Sequence, residues 1–157
     1  MDALLRAPAL KYVLRSKKRP QSRWLTDMRK QRRPAFLNLH TYGGLGHGMG
    51  NLLNASMSRT PLVVTAGQQD SRHTLTDPLL FGDLVRIAES AVKWAREVTS
   101  ADQLPVLVRR AFHDANAAPT GPVFLSFPMD VMELMSSIGI AEKSVIDRRR
   151  GVTAEAG

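Results

Sequence analysis

Residues 34–69 constrain the fold more than any other part of this chain, because they hold two apolar runs joined by a glycine-rich segment. The runs are AFLNL at 35–39 and PLVVT at 61–65, and each predicts a short strand. Glycines at 43, 44, 46, 48 and 50 predict a loop after the first strand. NLLNASM at 51–57 then places apolar residues on one side at helical spacing. The stretch therefore predicts strand, glycine loop, helix and strand.

The crossover helix implies that the two predicted strands run parallel, since parallel neighbours are joined by a crossover connection, usually an α-helix. Both strands are apolar enough to be covered on each face. The fold class is therefore α/β, with a parallel sheet flanked by helices. Ligands of such sheets bind where strand C-termini meet helix N-termini. His40, Thr41 and the glycine loop are predicted to stand at that edge.

The remaining sequence supplies more elements of the same kind. Residues 91–98 alternate as a third strand would, and VFLSFP at 123–128 predicts a fourth. Between them, Ser100 and Gln103 form a capping box that opens an amphipathic helix. Its apolar face consists of Leu104, Leu107, Val108, Ala111, Phe112 and Ala115. Residues 79–88 predict one or two helical turns. The predicted domain spans residues 34–134, and a polar tail follows at 135–157.

The net charge of +8 belongs to the first 33 residues, where 11 Lys and Arg face two Asp. The remaining chain holds 11 Lys and Arg against 12 acidic residues, so the predicted domain is neutral. Residues 1–33 show no helical or strand periodicity and are predicted to be disordered or atypical. A basic arm that binds nucleic acid and an organelle transit peptide are alternatives, and neither is favoured.

Composition excludes several other classes of function. The chain has no cysteine, which excludes disulfides and thiol catalysis. No apolar run approaches the ~20 residues of a membrane helix. We therefore expect a soluble, cytoplasmic protein without a membrane partner.

Four histidines, at 40, 47, 73 and 113, are the candidates for acid–base or metal chemistry. No two of them have an i,i+3 or i,i+4 spacing, so no metal site of protein side chains is predicted. His40 differs from the others because it ends a strand at the ligand edge, where an imidazole can transfer protons. The local pattern alone slightly favours a structural His40 over a catalytic one. The glycines match no phosphate-binding motif, so they predict close backbone approach or tight helix packing.

The motifs together resemble the N-terminal, pyrimidine-binding domain of thiamine diphosphate enzymes, particularly benzoylformate decarboxylases. The matching text is RPAFLNLH at 33–40, G-x-G-x-x-M-G at 44–50, PLVVTAGQQ at 61–69, VKW at 92–94, SADQLPVLVRRAFHDA at 100–115 and P-x-GPVFLSFPMD at 119–130. The order of these motifs makes the resemblance specific, although each is weak alone.

The resemblance implies a non-oxidative decarboxylase that acts on a small 2-oxo acid, with thiamine diphosphate and Mg²⁺ as cofactors and a homo-oligomeric assembly. It implies that His40 is catalytic and works on the substrate carboxylate and on proton transfers. The residues implied to contact the cofactor are Thr41, Gly43, Gly44, Gly46, Met49 and Gln68.

Three departures from the family predict that this chain alone is inactive. The family's third domain carries a Gly-Asp-Gly motif and the Mg²⁺ ligands, and Gly82-Asp83-Leu84 is not that motif. The family's serine in an upstream Asn-Pro-Gly-Ser turn is missing. The family's essential glutamate should fall at Lys17 or Lys18, where a cation would oppose a protonated aminopyrimidine.

The coding frame offers an explanation for that departure. Residues 24–31, WLTDMRKQ, can be encoded as TGG CTG ACG GAT ATG CGC AAG CA. With one adenine in front, the same bases read Met-Ala-Asp-Gly-Tyr-Ala-Gln-Ala, which is the motif that the family carries at this place. We hypothesise that residues 15–31 are translated out of frame.

Three functions are compatible with these observations. The first is a domain fragment of a benzoylformate decarboxylase-like enzyme. The second is a binding module that uses a genuine basic arm, and the third is one chain of a split, two-chain thiamine diphosphate enzyme.

Overall fold

A computed structural model describes residues 34–139. Its centre is a four-stranded sheet in the order β1-β2-β4-β3, and every neighbouring pair is parallel. The strands are β1 (Ala35–Leu39), β2 (Leu62–Gln68), β3 (Ala95–Glu97) and β4 (Pro122–Pro128). The predicted parallel α/β sheet is confirmed. The predictions for residues 1–33 and for residues 140–157 of the tail concern parts of the chain outside those described.

Within residues 34–139, three α-helices and two 3₁₀-helices lie between the strands, and a fourth α-helix follows β4. The α-helices are α1 (Thr41–Met57), α2 (Leu84–Glu89), α3 (Leu104–Asn116) and α4 (Met129–Glu133). The 3₁₀-helices span Ser71–Thr76 and Ala101–Gln103. None of the helices in residues 34–139 is long and apolar enough to cross a membrane.

The sheet separates two hydrophobic cores. On one face, α1 and α2 pack on the strands around Phe124, Val64 and Leu45. On the other face, α3 packs on Val63 and Leu125. Strands that are covered on both faces read as continuous apolar runs, which is why β2 and β4 were recognisable in the sequence.

The glycine loop predicted at 43–50 is wrong as a loop, because α1 begins at Thr41 and continues through all five glycines. None of these glycines has a positive φ. Glycine costs a helix about 1 kcal/mol relative to alanine, so local propensity opposes this helix. Burial of Leu45, Leu52 and Ala55 against the sheet overrides that opposition.

Two further boundaries differ from the sequence predictions. The third strand exists but is confined to Ala95–Glu97, and β2 extends to Gln68, beyond the predicted end at residue 65. Ser100 caps as predicted, since its hydroxyl accepts from the Asp102 N–H at 3.3 Å. The side chain of Gln103 instead accepts from the N–H of Thr99, at 3.4 Å, and α3 begins at Leu104.

Candidate functional site

His40 lies at the C-terminal end of β1 and is the residue before α1, as the sequence predicted. Its carbonyl accepts the N–H of Gly44 at 3.1 Å, so the backbone there is part of the helix start. Its side chain makes no capping hydrogen bond and is exposed. Within residues 34–139 no hydrogen bond or ion pair engages the imidazole. Both ring nitrogens are therefore available to a ligand.

Thr41, the next residue, carries two unfavourable features. Its φ is 53°, a left-handed conformation that β-branched residues rarely adopt. It is 7% exposed, and its buried Oγ1 has no hydrogen-bond partner within residues 34–139. A buried hydroxyl without a partner costs about 1–3 kcal/mol. Backbone strain of this kind clusters at functional sites, and it is the strongest local signal for one here.

The glycines of α1 fall into two groups. A Cβ built on Gly44 would lie 3.7 Å from Leu39, and one on Gly48 would lie 3.4 Å from the Leu39 Cδ1, so this side of the helix packs closely on β1. Gly43 and Gly46 face open space. Tight packing of helix on strand, which the sequence predicted as a role for the glycines, is confirmed at Gly44 and Gly48.

Gln68 ends β2 at the same edge, and it is buried. Its Nε2 donates to the Gly82 carbonyl at 2.7 Å, and its Oε1 accepts from the N–H of Gln69 at 2.9 Å. The side chain of Gln69 donates to the Leu79 carbonyl, also at 2.9 Å. Both ends of the Gln68 amide are thus bonded inside the protein. Its implied contact with a cofactor stays a prediction.

Met49 is partly buried and packs against the core on the α1 face of the sheet. Packing in the core is enough to explain an apolar residue at this position. The implied contact of Met49 with a cofactor stays a prediction. The other histidines lie elsewhere: the Nδ1 of His47 is 2.7 Å from the Gly43 carbonyl, and that of His113 is 3.0 Å from a carboxylate oxygen of Asp114.

Sequence reasoning missed a contact between α1 and the segment before α2. A Cβ on Gly82 would overlap the ring of Tyr42, so the tyrosine ring lies directly against the glycine backbone. The two residues are 40 positions apart, and no periodicity connects them. The carbonyl bonded by Gln68 is that of the same Gly82.

The carboxylates near the ends of β2 and β4 are already engaged. Asp130 accepts from the N–H of Ser71 at 3.0 Å and from its hydroxyl at 2.5 Å, and these bonds lower the pKa of Asp130. Asp70 is paired with Arg72, and that hydrogen bond holds the pKa of Asp70 well below its usual range. Among residues 34–139 no group of three His, Cys, Asp or Glu could hold a metal ion.

The arrangement belongs to the class of ligand-binding α/β domains, in which a parallel sheet presents its functional groups at the C-terminal edge. No protein-family model matches the chain. The chain is 41% identical to the benzoylformate decarboxylase of Pseudomonas aeruginosa over 99 residues, which are 62% of this chain and 19% of that protein. The chain is thus similar to part of the thiamine diphosphate-dependent enzymes, and among them it resembles benzoylformate decarboxylase.

Two solved structures agree with this assignment. Benzoylformate decarboxylase from Polynucleobacter necessarius is 37% identical, has a TM-score of 0.66, and is matched by 75% of this chain over 23% of its own length. The thiamine diphosphate-dependent 4-hydroxybenzoylformate decarboxylase of Rhodococcus jostii RHA1 is 34% identical with a TM-score of 0.62, over 68% of this chain and 20% of that one. The chain thus spans about a fifth to a quarter of the length of these proteins.

Proposed function

We propose that this chain is the pyrimidine-binding part of a benzoylformate decarboxylase-like enzyme, which removes CO₂ from a 2-oxo acid without oxidation and releases an aldehyde. The observation that carries the proposal is the corner between β1 and α1. There an exposed, unengaged His40 stands next to a left-handed Thr41 whose buried hydroxyl lacks a partner within residues 34–139. Folding alone gives no reason to keep either feature.

The described residues fit one side of a thiamine diphosphate site. Thr41 offers an unused hydroxyl, and α1 presents its N-terminus, with Gly43 and Gly46 open on its surface. Under the proposal these residues, with Gly44, Met49 and Gln68, border the cofactor. Among residues 34–139 no group of three His, Cys, Asp or Glu could hold a metal ion, so under the proposal the Mg²⁺ ligands come from outside these residues.

When bound, thiamine diphosphate supplies the nucleophilic carbon and takes up the electron pair that CO₂ leaves behind. His40 holds the substrate carboxylate by a hydrogen bond from one ring nitrogen. It also moves a proton to or from the substrate, for which an imidazole is suited near neutral pH. Because the ring is exposed and has no partner within residues 34–139, it can turn toward the substrate without breaking a bond.

The isolated chain is proposed to be inactive and to bind thiamine diphosphate too weakly for stoichiometric binding. A site with one wall gives a ligand less contact than the closed clefts in which cofactors are usually held. Calorimetric titration of the full chain with thiamine diphosphate and Mg²⁺ tests this. Absence of stoichiometric micromolar binding is expected, and its presence would contradict the proposal of a half site.

We also propose that residues 15–31 are translated out of frame. The one-base shift that restores the family motif at 24–31 can be continued back to residue 15. Arg15 to Arg23 can be encoded as CGC TCC AAG AAG CGG CCG CAG TCG CGA. When every codon from Arg15 to Gln31 is displaced by one base, with a guanine ending the codon of Leu14, the segment reads Ala-Leu-Gln-Glu-Ala-Ala-Ala-Val-Ala-Met-Ala-Asp-Gly-Tyr-Ala-Gln-Ala.

This longer reading supports the proposal in two ways. The displaced glutamate codon uses the last base of the Lys17 codon and the first two of Lys18, which is where the resemblance expects the family's glutamate. The displaced segment also has no Lys or Arg in place of seven, so it loses the basic character. Alanine has the highest helix propensity, so the frame-shifted sequence also favours a helix.

The nucleotide sequence tests the frame proposal directly. The displaced frame is expected to encode Gln-Glu followed by the alanine-rich segment, and a frame without that glutamate would overturn the proposal. Mass spectrometry of the tryptic digest then separates a reading error from a lesion. Peptide WLTDMR, residues 24–29, is expected only if the printed frame is translated.

Two alternatives can be tested. The concentration of charge in residues 1–33 favours a basic binding arm, and salt-dependent retention on heparin that disappears when these residues are removed would support it. The second alternative is a split, two-chain enzyme, in which a companion chain supplies the other domains and completes the site. Restoration of decarboxylation by a companion chain that carries Gly-Asp-Gly would support that alternative.

A further inference from the structure

Two consecutive glutamines at the end of β2 hold both sides of one loop. Gln68 donates to the carbonyl of Gly82 at 2.7 Å, and Gln69 donates to the carbonyl of Leu79 at 2.9 Å. The loop is formed by residues 77–83, and the two bonded carbonyls are three residues apart. Gln69 is only partly buried, so no packing requirement of the core explains its placement.

The loop that they hold is strained. The N–H of Phe81 donates to the carbonyl of Pro78 at 2.9 Å, which closes a turn, and Leu80 in that turn has a φ of 74°. A positive φ at this place in a turn is normally given to glycine or asparagine. Strained residues persist only where their surroundings fix them. The bonds from the two glutamines, on either side of Leu80, provide that constraint.

The loop in turn contacts the first turn of α1. The ring of Tyr42 lies so close to Gly82 that any Cβ there would overlap it. Tyr42 follows Thr41 directly and is two residues from His40. Hydrogen bonds and packing therefore connect the end of β2, through the loop, to the start of α1.

We propose that Gln68 and Gln69 are positioning residues, which fix the 77–83 loop against Tyr42 and thereby set the conformation of the helix start at His40 and Thr41. The significance of that edge for a cofactor rests on the proposed function. The structural connection from Gln69 to the start of α1 is independent of the proposed function. It predicts that loss of one exposed hydrogen bond at Gln69 changes the conformation at Thr41, which lies on another element.

The test compares Gln69→Leu with Gln103→Leu in the full chain by NMR. Gln103 is an exposed glutamine that hydrogen-bonds Thr99 and serves as the matched control. In Gln69→Leu, exchange of the Phe81 amide is expected to be about five- to tenfold faster, the change that corresponds to one lost neutral hydrogen bond. The amide resonances of His40 and Thr41 are expected to shift. Gln103→Leu is expected to change neither.

A second substitution makes the test specific to positioning. Leu80→Gly removes the strain that the glutamine holds, since glycine adopts positive φ freely. In the Gln69→Leu background it is expected to restore slow Phe81 exchange, which a general loss of stability would not allow. Unchanged Phe81 exchange in Gln69→Leu, failure of Leu80→Gly to restore it, or unmoved His40 and Thr41 resonances would each overturn the inference. These measurements use no cofactor, so they are independent of whether thiamine diphosphate binds.

Discussion

Strands β2 and β4 are buried along nearly their whole length, whereas at the corner between β1 and α1 His40 is exposed and Thr41 is strained. Residues of the central pair meet in register from Leu62 with Pro122 onward, and their apolar side chains fill a core on each face. At the corner, His40 is left without a partner within residues 34–139, and Thr41 holds a buried hydroxyl that is also unpaired there. The central strands stabilise the domain, and the features at the corner reduce that stability.

This contrast matters because a marginally stable domain seldom keeps unfavourable features without a use. The corner combines a left-handed threonine with a glycine-rich helix, and each opposes folding by a small amount. The central strands show no comparable departure. This difference is the reason why we propose the corner as the ligand site.

The largest expected effect concerns the centre. Phe124→Ala removes the largest fully buried side chain of the described core and should lower the free energy of unfolding by about 3–5 kcal/mol. Met57→Ala, at a side chain 85% exposed, is the control and should change it by less than about 0.5 kcal/mol. Urea denaturation of both variants measures the difference. Equal losses would break the comparison.

At the corner the expected sign is reversed. Thr41→Val removes the unpaired hydroxyl at nearly constant volume and should raise the free energy of unfolding by about 1 kcal/mol. Thr41→Ser keeps the hydroxyl and serves as the control, with no gain expected. If the valine variant is less stable than the parent chain in thermal unfolding, the Thr41 hydroxyl has a partner and its burial is not unfavourable.

Helix α1 should also accept a stabilising substitution. Gly50→Ala places a methyl group where no atom lies within 4 Å, and it should stabilise the chain by about 0.5–1 kcal/mol because alanine favours a helix. Gly48→Ala, whose methyl group would touch Leu39, should gain less. Chemical denaturation ranks the two. A loss of stability at Gly50 would show that the open face of α1 is covered in solution.

The smallest expected effect is the pH dependence from Asp130. The hydrogen bonds from Ser71 lower the pKa of this carboxyl in the folded state, so the stability they give is complete above about pH 4 and is lost as the pH falls through the lowered pKa. Asp130→Asn should cost only a few tenths of a kcal/mol at pH 7, because its hydrogen bonds from Ser71 are exposed to solvent. The variant should lose stability less steeply below pH 4. A parallel decline in both proteins would contradict this assignment.

Much of the fold could be predicted from local sequence. The central strands are apolar on both faces, and the residues of β1 and β4 were recognised almost to their ends. His40 was placed at the ligand edge because parallel topology follows from a crossover helix. The helical course of residues 43–50 was missed, since glycine propensity argues against a helix and only packing on Leu39 and the sheet favours one.

The candidate site was less predictable, because its features depend on residues far apart in the chain. The type of residue at 40 and 41 was visible in the sequence, but the left-handed φ of Thr41 and its unpaired hydroxyl arise from how α1 leaves the sheet. The resemblance to thiamine diphosphate enzymes implied a cofactor contact at Gln68. The structure bonds its amide to Gly82, a residue that no periodicity relates to it.

The sequence by itself determined the strands, their parallel direction and the edge where His40 stands, since each depends on hydrophobic pattern and on the length of the connection. Only the tertiary structure decided that the glycines are helical, that Tyr42 lies against Gly82, and that two glutamines hold the loop before α2. Contacts of this kind form between segments that meet only after the sheet has assembled, so local sequence patterns do not predict them.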